Sequence, residues 1–193
     1  MLALYLTHPQ VTIDPARPVA QWGLNEIGRA RLSALAARPW LARITRILSS
    51  SETKATQTAA LLRPDLPVEI HADLGENDRT ATGFLPGAAF ETAADAFFAH
   101  PDASFRGWET ARTAQNRVLT TVRRCLTGHG HDHPVLFVGH GAVGTLLRQA
   151  LAKEPISRRG DQPAGGGNIF AFHLADMSIL AGWAAMEAWQ WPQ

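Results

Sequence analysis

The chain has little of several features that mark specialised classes of protein. It has one cysteine, Cys125, among 193 residues, which excludes an internal disulfide and favours a reducing, cytoplasmic setting. Acidic and basic residues nearly balance at a net charge of +1, and no basic run is interleaved with aromatics, so nothing supports a nucleic-acid partner. No apolar run is long enough for a membrane span or a signal peptide. We therefore expect one domain over residues 1–193, with no membrane partner.

Residues 134–151 change their hydrophobic period partway through. The run 135–138 (VLFV) is unbroken and apolar, as in a strand covered on both faces, and from Ala142 the apolar residues recur at helical spacing. His140 lies in the glycine-rich turn between the two patterns. Ligands bind at the carboxyl ends of strands in open α/β sheets, and the amides that open a helix favour anions. His140 is therefore the first candidate functional residue.

A second histidine follows another predicted strand. Residues 2–6 (LALYL) form a short apolar run, and Pro9 stops this strand one residue after His8. If this first strand lies beside the fourth, His8 and His140 face the same crevice. One imidazole could then act as a nucleophile while the other donates a hydrogen bond to an oxyanion.

Strands and helices alternate along most of the chain. This pattern predicts an α/β three-layer sandwich, with a mostly parallel sheet flanked by helices. The further predicted strands are 44–48 and 68–71, the helices include 52–62, 88–99 and 109–126, and residues 74–85 form a loop. Residues 168–174 and 178–185 predict an antiparallel hairpin at the sheet edge.

Two of these helices carry predictions about the core. Asn25 is expected to cap the first helix. The inner face of that helix is predicted to consist of Leu24, Ile27, Ala30, Ala34 and Leu35. Cys125 falls in the apolar stripe of the 109–126 helix, which indicates a core thiol rather than a nucleophile.

The tryptophans of the tail allow two interpretations. Trp183, Trp189 and Trp191 lie close together in sequence near the end of the chain. Packing within the core or along the sheet edge is the expected role, because tryptophan is usually well buried. An oligomer interface, as in a dimer through this Trp-rich segment, is the alternative.

Five segments together suggest a family. They are LALYLTHPQ, LNEIGRARLSAL, ILSSSETKATQTAALL, DLGEND and VLFVGHGAVGTLLRQAL, which run from residue 2 to about residue 151. In order and spacing they resemble the histidine phosphatase superfamily, also called phosphoglycerate mutase-like. The resemblance implies a phosphoglycerate mutase-like fold and a phosphatase that hydrolyses a small-molecule phosphomonoester through a phosphohistidine intermediate. We expect no cofactor and no metal ion.

The resemblance assigns a catalytic role to three residues. His8 stands where the family has the histidine that takes up the phosphoryl group, and His140 matches the second histidine, in a Gly-His-Gly turn. Glu76 stands where the family has its proton donor. To act as an acid near neutral pH, Glu76 needs burial or a neighbouring negative charge, which the phosphate itself can supply.

The phosphate-binding residues depart from the family pattern. Thr7, Lys54 and Gly141 are the candidates here, and the first two stand where the family has arginines. Because a hydroxyl or an ammonium cannot replace a planar bidentate fork, each loss is expected to cost about 1.5–3 kcal/mol. Activity could be low, and the alternative is a catalytically impaired protein that binds a phosphorylated ligand or partner. Arg17 or Arg79 could supply the missing charge.

Two further motifs allow other functions. Residues 139–144 formally satisfy Gly-x-Gly-x-x-Gly, the dinucleotide-binding pattern, although the region about 20 residues on reads as a loop. His129, His131 and His133 alternate and could coordinate a transition metal if the segment were extended. The expected interpretation of this histidine segment is a polar loop before a strand.

Overall fold

The computed structural model describes residues 1–192 and contains a six-stranded sheet. The strands lie in the order β3-β2-β4-β1-β5-β6. β3, β2, β4 and β1 are parallel, and β5 and β6 join antiparallel at one edge. The strands are β1 (Leu2–Thr7), β2 (Arg46–Ser49), β3 (Val68–Ile70), β4 (Val135–Gly139), β5 (Asn168–His173) and β6 (Ile179–Ala185). The mostly parallel sheet with a C-terminal edge hairpin is thereby confirmed.

Helices cover both faces of this sheet. They are α1 (Glu26–Ala36), α2 (Thr53–Leu62), α3 (Gly87–Ala99), α4 (Ala111–Leu126) and α5 (Gly141–Ala152). Asn25 caps α1 as predicted, its Oδ1 accepting from the Gly28 N–H at 2.9 Å. Within residues 1–192, none of the helices combines the length and the apolar character that a bilayer crossing requires.

The unbroken apolar strands divide their side chains between two cores. In β1, Ala3 and Tyr5 join the cluster that α3, α4 and α5 cover, whereas Leu4 and Leu6 join the cluster under α1 and α2. The residues of β4 alternate in the same way, because successive side chains of a strand point to opposite faces. This division explains why neither strand shows polar alternation and why the predicted three-layer architecture is confirmed.

The buried face of α1 differs from the predicted one. Gly28, Leu32 and Leu35 face the core, whereas Ile27 is 61% exposed. A Cβ at Gly28 would lie 2.4 Å from the carbonyl oxygen of Gln10, so the helix approaches that backbone more closely than any other residue permits. This contact sets the rotation of the helix. The predicted inward positions of Ile27, Ala30 and Ala34 were therefore wrong.

One of the C-terminal tryptophans is a core residue, and another packs against the core while partly buried. Trp189 is buried, with its ring centroid 4.6 Å from that of Trp40, and Trp183 packs edge-on against Phe170 at 4.8 Å. Cys125 is buried in the cluster under α4, as predicted. Core packing is confirmed for these aromatics, and a dimer through this segment stays a prediction.

The glycine spacing at residues 139–144 has a packing cause. A Cβ at Gly139 would clash with the Tyr5 hydroxyl, and one at Gly144 would lie 2.5 Å from the Tyr5 ring and 3.0 Å from Trp183. The strand that follows α5 is antiparallel to β1, whereas a dinucleotide-binding sheet continues in parallel. The glycines thus serve the Tyr5 contact, and the dinucleotide alternative loses its support.

We expect Gly144→Ala to destabilise the protein by about 1–3 kcal/mol, because the added methyl overpacks the Tyr5 and Trp183 contacts. At an unconstrained position inside a helix the same change stabilises by about 1 kcal/mol. Urea unfolding of the variant measures the difference. Gly182→Ala is the matched control, since a Cβ there meets nothing within 4 Å. A Gly144→Ala protein as stable as the wild type would contradict the packing explanation.

Candidate active site

The register of β1 against β4 brings the two histidines together. Thr7 lies opposite Gly139, so the next residue of each strand, His8 and His140, leaves the sheet at the same level. The His8 N–H donates to the Gly139 carbonyl at 3.0 Å, and the two ring centroids lie 5.3 Å apart. The sequence analysis required the first and fourth strands to be neighbours, and β1 and β4 are neighbours.

The hydrogen bond of His8 to the backbone determines its tautomer. Its Nδ1 lies 2.8 Å from the Pro9 carbonyl oxygen, which can only accept, so Nδ1 carries the hydrogen and Nε2 keeps a lone pair. Burial, aided by the nearby charge of Lys54, lowers the pKa of His8 to about 4. The ring is therefore neutral at pH 7 and has a free nucleophilic nitrogen.

His140 is fully buried at the turn before α5. Its Nε2 lies 2.7 Å from the Ser50 hydroxyl and 3.3 Å from a carboxylate oxygen of Glu52. Its Nδ1 has no hydrogen-bond partner among residues 1–192. Burial lowers the pKa of His140 well below its usual value. A buried neutral imidazole with one unused nitrogen is suited to contact a bound ligand.

Glu76 lies against the N-terminus of α5, beside the histidines. Its carboxylate accepts hydrogen bonds from the N–H groups of Val143 at 3.1 Å and Ala142 at 3.3 Å. Burial raises the pKa of Glu76, and the charge of Glu52 acts in the same direction. The structure thus places this carboxyl in the environment that the sequence analysis required of a proton donor.

Arg117 of α4 holds the segment that carries Glu76. Its guanidinium donates to the backbone carbonyls of Asp73 at 2.8 Å, Gly75 at 3.1 Å and Glu76 at 3.3 Å, and it pairs with Glu109. A rigid five-donor fork can satisfy several carbonyls of an irregular segment at once. Sequence reasoning missed this residue, because nothing in a helical stripe indicates which loop its arginine will contact.

The three phosphate-binding candidates have different surroundings. The Thr7 hydroxyl donates to Gln162 Oε1 at 2.7 Å and accepts from the Asn168 N–H at 3.0 Å. Lys54 is buried and donates to the Val19 carbonyl at 2.8 Å and to Glu52. Gly141 opens α5. Of the three, Lys54 has its charge among the histidines, but a carboxylate already accompanies it.

That carboxylate belongs to Glu52, which the sequence analysis did not select. Besides pairing with Lys54, it accepts from the Glu76 N–H at 2.8 Å and lies 3.3 Å from His140 Nε2. Burial acts to raise its pKa, but the Lys54 ammonium and the Glu76 N–H act against burial, and the net effect lowers the pKa of Glu52. Its position at the carboxyl end of β2, in the turn before a helix, is the signal that could have identified it.

The comparisons with known proteins identify the family and the fold. The profile of the histidine phosphatase superfamily (branch 1) matches residues 18–174. The chain belongs to the histidine phosphatase superfamily. The profile match begins after His8 and so leaves out the segment in which Thr7 stands at a family arginine position. A search of curated protein sequences found no match.

Solved structures show the same fold at low sequence identity. Mycobacterial glucosyl-3-phosphoglycerate phosphatase in complex with inorganic phosphate is similar at a TM-score of 0.79 and 20% identity, covering 97% of this chain and 99% of that one. YhfR from Bacillus stearothermophilus has a TM-score of 0.80 and 20% identity, over 98% of both chains. A mutant phosphoserine phosphatase from Entamoeba histolytica, in complex with phosphoserine, has a TM-score of 0.76 and 13% identity, over 97% and 99%.

In this member of the histidine phosphatase superfamily, Arg79 is a cation at the candidate active site. It lines a cleft of about 190 Å³ together with His8 and Glu76, and its guanidinium lies 5.2 Å from the Phe90 ring centroid. Within residues 1–192 it forms no ion pair. Arg158 also lines the cleft, but two carboxylates of α3 hold its guanidinium.

The other candidate replacement, Arg17, lies elsewhere. It pairs with Asp14 at 3.3 Å on a side chain that is 69% exposed, and it does not line the cleft. The alternating histidines are also apart from the site, with His129 Nε2 bonded to the His133 carbonyl at 2.7 Å. Within the described residues, no three His, Cys, Asp or Glu side chains are grouped in a way that could hold a metal ion.

The raised pKa of Glu76 has a consequence for stability. A carboxyl whose folded pKa lies above its unfolded value binds its proton more tightly when folded, so stability falls as pH rises between the two values. We expect Glu76→Gln to remove this loss of stability with rising pH. The melting temperature of the variant minus that of the wild type should therefore increase from pH 4 to pH 7. Thermal unfolding across that range measures it, with exposed Glu26→Gln as the control. A Glu76→Gln protein that loses stability relative to the wild type with rising pH would contradict the burial argument.

Proposed function

We propose that this chain is a phosphomonoester hydrolase that works through a phosphohistidine at His8. The observation that carries the proposal is the state of the His8 ring, which is neutral and directs its hydrogen to Pro9. Its free Nε2 belongs to the same cleft as Glu76. Family membership and the fold of the phosphatase structures support the same reaction class.

The reaction needs two displacements at phosphorus. His8 Nε2 attacks phosphorus as the bond to the leaving alkoxide breaks, and the Glu76 carboxyl gives its proton to that oxygen. Water then attacks the phosphohistidine, Glu76 takes the proton of the water, and His8 is released with inorganic phosphate. His140, the first amides of α5 and the Arg79 guanidinium stabilise charge on the equatorial oxygens.

Small phosphorylated molecules are the proposed substrates. The similar structures include phosphatases named for glucosyl-3-phosphoglycerate and phosphoserine, and a cleft of about 190 Å³ admits a phosphoryl group with a small leaving group. A cytoplasmic setting stays a prediction from the single cysteine.

A second candidate function is binding of a phosphorylated ligand or partner without turnover. Two contacts favour it. The Thr7 hydroxyl is bonded within the sheet, and the Lys54 ammonium is paired with Glu52. The two side chains at the family's arginine positions, Thr7 and Lys54, are thus already hydrogen-bonded to other groups of the protein. Chemical trapping of the intermediate separates the two functions.

We expect incubation with a 32P-labelled phosphomonoester, followed by rapid quenching, to leave acid-labile label on the wild-type protein. His8→Ala should carry no label, because it lacks the attacking nitrogen. His100→Ala is the matched control, since His100 is exposed at the end of α3. Absence of label and of turnover across a substrate panel would favour the binding function, and label that survives in His8→Ala would exclude His8 as the nucleophile.

Arg79→Met should lower kcat/KM by about one to two decades, because a charged contact to the phosphoryl group contributes about 1.5–3 kcal/mol. Arg17→Met should leave kcat/KM unchanged, since Arg17 pairs with Asp14 away from the cleft. Steady-state kinetics on a generic phosphomonoester measure both. The assignment of Arg79 would be wrong if the two variants had equal activity.

A further inference from the structure

Glu52 occupies an unusual position for a residue that opens a helix. It is the N-cap of α2, yet its side chain makes no capping hydrogen bond. The carboxylate instead extends toward the histidines, where its side chain is 14% exposed. An N-cap side chain usually accepts a hydrogen bond from a free N–H group in the first turn of its helix. The Glu52 carboxylate makes its contacts within the site instead.

The contacts of Glu52 are those expected of a bound anion. An ammonium (Lys54) and a backbone N–H (Glu76) donate to its two oxygens, and His140 Nε2 lies 3.3 Å from one of them. These donors are of the kinds that hold phosphoryl oxygens. Glu52 lines a cavity of about 560 Å³ that adjoins the cleft of His8 and shares Glu76, Asn77 and Arg79 with it.

The charges around Glu52 are nearly balanced before any ligand enters. Lys54 and Arg79 are the cations close enough to influence the two histidines, and Glu52 and Glu76 are the facing carboxyls. His8 and His140 are neutral, because burial lowers the pKa of both. A phosphoryl dianion that enters this site would therefore not find two free cations to balance its charge. It would also be repelled by the negative charge of Glu52.

We propose that Glu52 makes the cleft selective for singly charged phosphoryl groups, whose P–OH donates a hydrogen bond to the Glu52 carboxylate. An ionised carboxylate only accepts hydrogen bonds, so it favours a ligand oxygen that carries a proton and repels one that does not. This specificity rests on the proposed function, because it assumes that a phosphoryl group is what the cleft receives. It deepens that function by naming the ionic form of the substrate.

Phosphate and sulfate at pH 5 provide a test that needs no turnover. Both are tetrahedral oxyanions of similar size, but at this pH inorganic phosphate is a monoanion with protons to donate and sulfate is a dianion with none. Because pH is constant, His8, His140 and Glu76 have the same protonation at the start of both titrations, and titrations in buffers of different ionisation enthalpy show any proton taken up on binding. In calorimetry, the wild type should bind phosphate at least about tenfold more tightly than it binds sulfate.

Glu52→Gln should reduce that preference to within about threefold, mainly by strengthening sulfate binding about tenfold, because a neutral amide can donate to an unprotonated oxygen. Glu26→Gln, an exposed glutamate in the first turn of α1, is the matched control and should keep the wild-type ratio. Glu52→Leu is the second neutral variant if Glu52→Gln does not fold, as judged by circular dichroism.

Three outcomes would overturn the proposal. They are a wild type that binds sulfate as tightly as phosphate, a wild type that binds neither at pH 5, and a neutral variant that keeps the full wild-type preference. The phosphohistidine trap reports separately on hydrolysis. A protein that selects phosphate over sulfate without forming labelled His8 would therefore retain this specificity while the hydrolase proposal fails.

Discussion

The parallel pairing of β1 with β4 is the constraint on which the rest of the site depends. It joins segments more than 120 residues apart in sequence and sets Thr7 opposite Gly139, so that the following histidines face one another. Tyr5 reinforces the pairing. Its hydroxyl accepts from the His140 N–H at 3.0 Å and lies 3.2 Å from the His140 carbonyl oxygen, to which it donates. Burial raises the pKa of Tyr5, so the hydroxyl keeps the proton that the second bond needs.

The same constraint explains the glycines of the turn. Gly139 and Gly144 leave room for the Tyr5 ring and hydroxyl, and any side chain at either position would push the turn away from β1. Because the turn carries His140 and the first amides of α5, a shift there would separate His140 from His8 and the amides of Ala142 and Val143 from Glu76. The packing of Tyr5 in the core thus determines the position of His140 and of the first α5 amides in the cleft.

The two cations nearest the histidines, Lys54 and Arg79, differ in whether a carboxylate accompanies them. Lys54 is accompanied by Glu52, and Arg79 lies against Phe90 and Trp108 with its guanidinium directed to no carboxylate within residues 1–192. Neither Thr7 nor Lys54 offers the planar bidentate fork of an arginine, so any anion that binds here depends on single hydrogen bonds and on the charge that Lys54 and Arg79 supply.

The hydrophobic pattern of the sequence determined which segments form strands and helices, because burial on one or two faces leaves a period of 2 or 3.6 or an unbroken run. It also placed two histidines and Glu76 after strands, where parallel topology gathers side chains. The rotation of α1 was decided by the close contact of Gly28 with the Gln10 backbone, and the hydrophobic period of the sequence gives no sign of this contact. The roles of Glu52 and Arg117 were likewise decided only in the tertiary structure, because a charged residue shows its partner only when the folded chain brings the two together.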